Sequence, residues 1–163
     1  PELDDLDVLE RIGSFLGRIH RVGAARPFEA RLTLDVATLG TASRDWLLAH
    51  DAIPAEAVDG WRAAADAALA LARAAFDARA DVPRLRLHGD CHPGNILWSD
   101  AGPCFVDLDD AMNGPAVQDL WMLFGADTAG AALAREAVLE GYERFRPFDR
   151  RELALVEPLR TLR

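Results

Sequence analysis

Hydrophobic residues recur at helical spacing in the first half of the chain. Behind a cluster of aspartates, an apolar stripe predicts a first helix over residues 4–20, with members Leu9, Ile12, Phe15, Leu16 and Ile19. Residues 45–50 predict a short second helix. The alanine-rich stretch 55–80, opened by Pro54, predicts a long third helix. Its apolar face consists of Val58, Trp61, Ala65, Leu69, Ala72 and Phe76.

The pattern changes at Pro83, where short apolar runs alternate with glycine, proline and aspartate, as is typical of strands and turns. Beyond Pro115 helical spacing returns over residues 117–124, 129–145 and 149–163. We therefore expect one domain, mainly α with a small β-hairpin unit. Residues 1–82 would be helical, 83–110 would form a functional loop and the hairpin, and 111–163 would be helical again.

Composition narrows the possible partners. The 163 residues suffice for a core, and a net charge of −9 without a basic stripe argues against nucleic-acid binding. We see no signal peptide, membrane span or metal-ligand cysteine spacing, so we expect a cytoplasmic monomer without a membrane partner. All 18 basic residues are arginine, which excludes the phosphate-binding lysines of nucleotide sites. Because the chain opens without methionine and ends within helical spacing, we expect a fragment.

The predicted hairpin places two oxygen-bearing side chains together. Residues 96–98 and 104–106 flank a turn-forming run at 99–103. Pairing Trp98 with Cys104 would set Asn95 opposite Asp107, with Cβ atoms about 4.5–5.5 Å apart. An amide oxygen and a carboxylate at this distance can share one cation. Hard oxygen ligands, few in number, favour Mg²⁺ over zinc.

Asp90 lies five residues before Asn95, across a loop that contains proline and glycine. Crowding of Asp90 with Asp107 and Asp109 would favour a bound divalent cation, because carboxylates at short range repel one another. In a kinase-like site, Asp90 would accept or orient the proton of an attacking hydroxyl. Asn95 and Asp107 would hold the metal on the nucleotide phosphates.

These residues carry a family resemblance. Residues 88–90 with Asn95 resemble the H-x-D-x-x-x-x-N catalytic loop of the aminoglycoside phosphotransferase and protein-kinase-like superfamily, and Asp107 resembles the metal aspartate of the kinase D-F-G. More narrowly, residues 85–123, the first helix at 12–21 and the segment 157–160 resemble the bacterial stress response kinase A family.

The resemblance implies the C-terminal, catalytic lobe of a protein-kinase-like fold, with the N-terminal lobe absent. It implies a Ser/Thr protein kinase of the stress response that uses ATP and Mg²⁺ and acts on a protein hydroxyl. Asp90 would be the catalytic aspartate, and Asn95 and Asp107 would bind the metal and nucleotide. Without the nucleotide-binding lobe, the fragment alone would be inactive.

Three further residues take supporting roles in this interpretation. Asp109 stands where a typical kinase has glycine, and it would bind either a second metal or a backbone amide. His88 would pack beneath the loop and hydrogen-bond the backbone. Asp119 would be either an acid in the first turn of a helix or an acceptor for the catalytic-loop backbone, and both roles are structural.

Other functions fit parts of the pattern. His88, Asp90 and His92 alternate as on a strand, which would suit a metal-dependent hydrolase. A small-molecule kinase for an aminoglycoside, choline or homoserine would share the same loop, and an acidic acceptor patch could then comprise Glu136, Glu140 and Glu143. A non-catalytic kinase-like interaction domain is the remaining alternative, although all three catalytic positions are filled.

Overall fold

The protein is described by a computed structural model that covers residues 5–125 and 129–163. The described residues form five α-helices and four short strands, which confirms a mainly α fold with a small β component. The helices are α1 (Leu6–Gly23), α2 (Ala42–Ala49), α3 (Val58–Asp77), α4 (Ala129–Glu143) and α5 (Val156–Leu162). The strands are β1 (Leu85–Leu87), β2 (Ile96–Ser99), β3 (Gly102–Phe105) and β4 (Met112–Gly114).

Helix α1 is the centre of the core. The side chain of Asp5 caps it by accepting a hydrogen bond from the amide of Asp7. Of its predicted apolar stripe, Leu9, Ile12 and Leu16 are buried in the core shared with α4, whereas Phe15 is half-buried and Ile19 is exposed. The two helices approach closely at Gly13 and Gly17, where a Cβ atom would collide with backbone carbonyls of α4. This close contact holds α1 against α4, and the strands that follow α1 belong to the same packed body.

Helices α2 and α3 lie at the edge of this body. Residues 36–41 form a π-helical turn that leads into α2. The predicted apolar face of α3 is only half-buried, and Ala72 is its one fully buried member within the described chain. Helix α3 packs mainly against α5, and Ala75 and Phe76 are its residues that pack against the main core.

The β component is larger than one hairpin. Strands β1 and β4 pair antiparallel, with Arg86 opposite Asn113, in a second small sheet that the sequence did not predict. In the hairpin, β2 and β3 pair with Leu97 opposite Cys104 and Trp98 opposite Pro103. The predicted pairing of Trp98 with Cys104, and hence of Asn95 with Asp107, is wrong by one residue. The reason is the turn, which consists of two residues because Ser99 already pairs with Gly102.

The segment after β4 is also not the predicted α-helix. In place of one continuous helix over residues 117–124, the chain forms two 3₁₀ turns, Ala116–Asp119 and Trp121–Leu123. Further on, a 3₁₀ turn at Arg150–Leu155 precedes α5. Pro158 lies in the first turn of α5, where the missing N–H has no intrahelical partner to lose. No helix in the described ranges is both long and apolar enough to cross a bilayer.

Candidate active site

The loop after β1 is anchored from below by Asp119. This carboxylate is fully buried, and it accepts hydrogen bonds from the backbone N–H of His88 (2.7 Å) and of Gly89 (2.8 Å). A carboxylate that accepts several N–H bonds is satisfied despite its burial. Asp119 therefore fixes the backbone immediately before Asp90. The 3₁₀ turn at 116–119 brings it there.

The loop also packs against the chain that leads into β4. Gly89 has φ of 91°, and a Cβ atom there would collide with the carbonyl oxygen of Asp110. The side-chain amide of Gln118 donates to the Gly89 carbonyl at 2.8 Å. Only glycine fits such a close approach with positive φ. The two segments around the site are thus held in direct contact.

His88 connects the loop to the hairpin. Its ring is buried, and Nε2 donates to the backbone carbonyl of Val106 at 2.8 Å. The ring also packs edge-on against Phe105. His88 thus hydrogen-bonds the backbone at the end of β3, one residue before Asp107.

A buried chain of polar side chains continues below Asp119. His20, at the C-terminal end of α1, donates from Nε2 to Asp119 at 2.9 Å, and its Nδ1 accepts from the hydroxyl of Tyr142 on α4 at 3.0 Å. Burial raises the pKa of Tyr142, which keeps the hydroxyl protonated as a donor. Sequence reasoning missed both residues. The only signal was a histidine in line with the apolar stripe of α1.

Asp90 lies above this support and is partly exposed. Its Oδ1 accepts a hydrogen bond from Nη2 of Arg163 at 2.6 Å, and its Oδ2 is 3.7 Å from Nε2 of His92. Nδ1 of His92 accepts from the amide of Gly94 at 2.9 Å, so the hydrogen of this ring is on Nε2, facing Asp90. Sequence analysis did not include Arg163, which is 73 residues away and has no motif to mark it.

Asn95 and Asp107 are the two predicted oxygen donors for a cation. Asn95 is buried at the end of a 3₁₀ turn, and its NH₂ donates to the backbone carbonyl of Asp90 at 3.0 Å. The amide oxygen is therefore the end of the side chain that can bind a metal. Asp107 is exposed two residues after the end of β3, with φ of 64°. Two hard oxygen donors fit Mg²⁺, which completes its shell with water and phosphate oxygens.

Asp109 and the glutamate patch of α4 have surroundings that differ from those of Asp90. Asp109 is exposed, and its backbone carbonyl accepts a hydrogen bond from Arg31 at 2.6 Å. The patch of Glu136, Glu140 and Glu143 lies away from the loop on α4, and Arg150 forms ion pairs with Glu136 (2.9 Å) and Glu143 (3.6 Å). Because Arg150 already pairs with two of its three glutamates, this patch is a weak candidate for binding a polycationic acceptor.

The geometry argues against the hydrolase alternative. In the part of the chain that the structure describes, no three His, Cys, Asp or Glu side chains are grouped so that they could hold a metal. The predicted crowding of Asp90 with Asp107 and Asp109 around one cation is therefore not found either. The ring of His88 binds the Val106 carbonyl. It is therefore not available as a ligand together with Asp90 and His92, as the alternation in the sequence suggested. The ligand set that a metal-dependent hydrolase would need is therefore not assembled.

Known proteins with similar sequences are kinases by name. Stress response kinase A of Escherichia coli (strain K12) is 44% identical over 162 residues, which cover 99% of this chain and 48% of that protein. The serine/threonine protein kinase RdoA of Salmonella typhimurium has the same identity and coverage. The chain spans about half the length of the curated relatives it matches.

A solved structure shares the fold. An amicoumacin kinase, hAmiN, in complex with AMP-PNP, Ca²⁺ and Ami superposes with a TM-score of 0.66 at 14% identity, over 96% of this chain and 49% of that chain. The sequence profile of the phosphotransferase enzyme family (APH) matches residues 2–156, nearly the whole chain. Because this match extends over most of its residues, the chain belongs to the phosphotransferase enzyme family (APH).

Proposed function

We propose that this chain is the catalytic half of an ATP-dependent kinase that transfers the γ-phosphoryl group to a Ser or Thr hydroxyl of a protein. The observation that carries the proposal is the partly exposed carboxylate of Asp90, held on a loop that the buried Asp119 anchors and that the side chain of Asn95 binds at the Asp90 carbonyl. The names of the relatives support a Ser/Thr protein kinase acting in the bacterial stress response.

In this mechanism Asp90 accepts a hydrogen bond from the acceptor hydroxyl and takes its proton as the new O–P bond forms and the bond to the ADP oxygen breaks. Asn95 and Asp107 would hold a divalent metal, which we propose to be Mg²⁺. When bound, the metal supplies positive charge for the phosphate oxygens. Asp109 either holds a second metal or contacts a backbone amide.

The proposed domain organisation assigns residues 1–163 to one C-terminal lobe. Residues 83–110 form its catalytic loop and metal-binding hairpin, between helical segments at 1–82 and 111–163. The chain contains no lysine, so it has no lysine side chain to contact the nucleotide phosphates. We therefore propose that the part of the relatives that this chain does not span supplies the nucleotide clamp, in a cytoplasmic and monomeric enzyme.

The test compares two aspartate variants of the full-length protein, Asp90→Ala and Asp100→Ala. Asp100 is exposed in the turn of the hairpin and serves as the matched control. With labelled ATP, Mg²⁺ and dephosphorylated casein as acceptor, Asp90→Ala should lower phosphorylation by about 10²–10⁴-fold, because it removes the proton acceptor. Asp100→Ala should keep the parent rate. Equal rates for the two variants would refute the role of Asp90.

A further inference from the structure

Arg163 reaches the catalytic loop from the end of α5. We propose that Arg163 is a positioning residue for phosphoryl transfer, which holds one oxygen of Asp90 so that the other faces the acceptor hydroxyl. This inference rests on the kinase function proposed above and extends it to a part of the chain distant in sequence.

The guanidinium binds the loop at several points. Nη2 donates to Oδ1 of Asp90 at 2.6 Å, and Nη1 donates to the backbone carbonyl of Gly89. Nη2 also lies 3.5 Å from Oδ2 of Asp110. The side chains of Arg163 and Asp90 are 25% and 27% exposed, so both remain partly accessible to solvent. Because the guanidinium is a rigid planar fork, bonds from both of its ends define the position of the carboxylate.

The contact distinguishes the two oxygens of Asp90. Oδ1 is bonded to Arg163, whereas Oδ2 lies 3.7 Å from Nε2 of His92, beyond hydrogen-bond distance. Oδ2 is therefore the oxygen that can accept the hydroxyl proton. A general base must lie within hydrogen-bond reach of that proton, and a displacement of about 1 Å can lower a rate by about 10²-fold.

Arg163 also places positive charge among carboxylates. Its side chain lies between Asp90 and Asp110, which would otherwise repel each other and the incoming phosphates. Because the chain has no lysine, an arginine must supply any permanent positive charge at this point. Arg163 supplies this positive charge from the end of α5, and it is not part of the catalytic-loop sequence.

The same helix provides a matched control. Arg160 lies one turn earlier on α5, where it packs over the ring of Trp121 and pairs with Glu157 at 3.2 Å. It has the same side chain on the same helix, but its partners lie outside the catalytic loop. The Arg160→Ala variant thus loses the same charge and the same side chain as Arg163→Ala, but it leaves the contacts of Asp90 unchanged.

The experiment measures steady-state kinetics on the full-length protein with Mg²⁺, ATP and dephosphorylated casein. Arg163→Ala should lower kcat by about 10- to 100-fold with little change in the KM for ATP. Arg163→Lys should give an intermediate kcat, since one ammonium cannot reproduce the planar fork. Millimolar guanidinium ion should restore much of the activity of Arg163→Ala and none of that of Asp90→Ala. Arg160→Ala should match the parent protein.

Two results would overturn the inference. One is a kcat for Arg163→Ala equal to that of Arg160→Ala. The other is a loss of activity that guanidinium does not restore and that accompanies a lower thermal unfolding midpoint, since Arg163 would then only stabilise the fold. If Asp90→Ala retains the parent rate, the kinase proposal itself fails, and this outcome is distinct from a failure of Arg163 alone.

Discussion

Two residues of the site have a backbone conformation that most residues avoid. Gly89 has φ of 91°, and Asp107 has φ of 64°. For aspartate the left-handed region is accessible at a cost, and such positions cluster in active sites, where the surrounding structure enforces them. Asp90 and the proposed metal ligand Asp107 are therefore held by backbone that the rest of the fold keeps in place.

A pair of glycine substitutions tests this view of the loop. Gly89→Ala should destabilise the protein by at least about 1–3 kcal/mol and abolish phosphorylation, because its Cβ would collide with the Asp110 carbonyl at positive φ. Gly60→Ala in α3 is the control. Nothing lies within 4 Å of its Cβ position, so alanine should stabilise the helix by about 0.5–1 kcal/mol. Urea unfolding measures both changes, and a neutral Gly89→Ala would contradict the packing described.

Among the elements, the predictable ones are those whose sequence pattern lies within the element itself. The apolar stripe of α1 and the alanine-rich run of α3 predicted helices that the structure places at 6–23 and 58–77, within a few residues of the expected bounds. The residues of the candidate site were predictable for the same reason, since Asp90 and Asn95 lie within one short motif. Helical periodicity and motif spacing depend only on neighbours in sequence.

The elements that were missed depend on contacts between distant segments. The hairpin register was wrong because the length of a turn decides it, and the turn-forming residues extended beyond the two that form the turn. Residues 117–124 form 3₁₀ turns rather than a helix, an arrangement in which Gln118 and Asp119 both bond the loop. Arg163 could not be predicted, because its partner Asp90 is 73 residues away.

The hydrogen-bonded chain from α4 through α1 to the loop yields a graded prediction. Tyr142→Phe removes one hydrogen bond to His20 and should cost about 0.5–1.5 kcal/mol of unfolding free energy. Asp119→Asn should cost more, about 1–3 kcal/mol for each group left unsatisfied, because an NH₂ would then face a backbone N–H. Chemical denaturation gives the order of the two variants. A larger loss for Tyr142→Phe would show that Asp119 is not the main anchor.

At the scale of the whole molecule, Glu152 connects the C-terminal segment to the site. It lies in the 3₁₀ turn before α5, and Oε2 accepts a hydrogen bond from the amide of Val117 at 2.9 Å. Burial raises the pKa of this carboxyl from 4.5 to about 7, against the opposing effects of the Val117 hydrogen bond and of Arg146. Its folded-state pKa lies above that of the unfolded chain, so the folded protein binds the extra proton between these two values.

This difference in bound protons determines whether stability rises or falls with pH. Between roughly pH 4.5 and 7, Glu152 lowers the stability of the fold as pH rises, by at most about 1.4 kcal/mol per pH unit. Glu152→Gln should flatten this part of the profile, measured as the urea midpoint of the full-length protein against pH. Glu157→Gln removes an equal charge from an exposed position and controls for the net charge of −9. If both variants retain the parent slope, the carboxyl of Glu152 titrates alike in the folded and unfolded chains, and its burial has no consequence for pH stability.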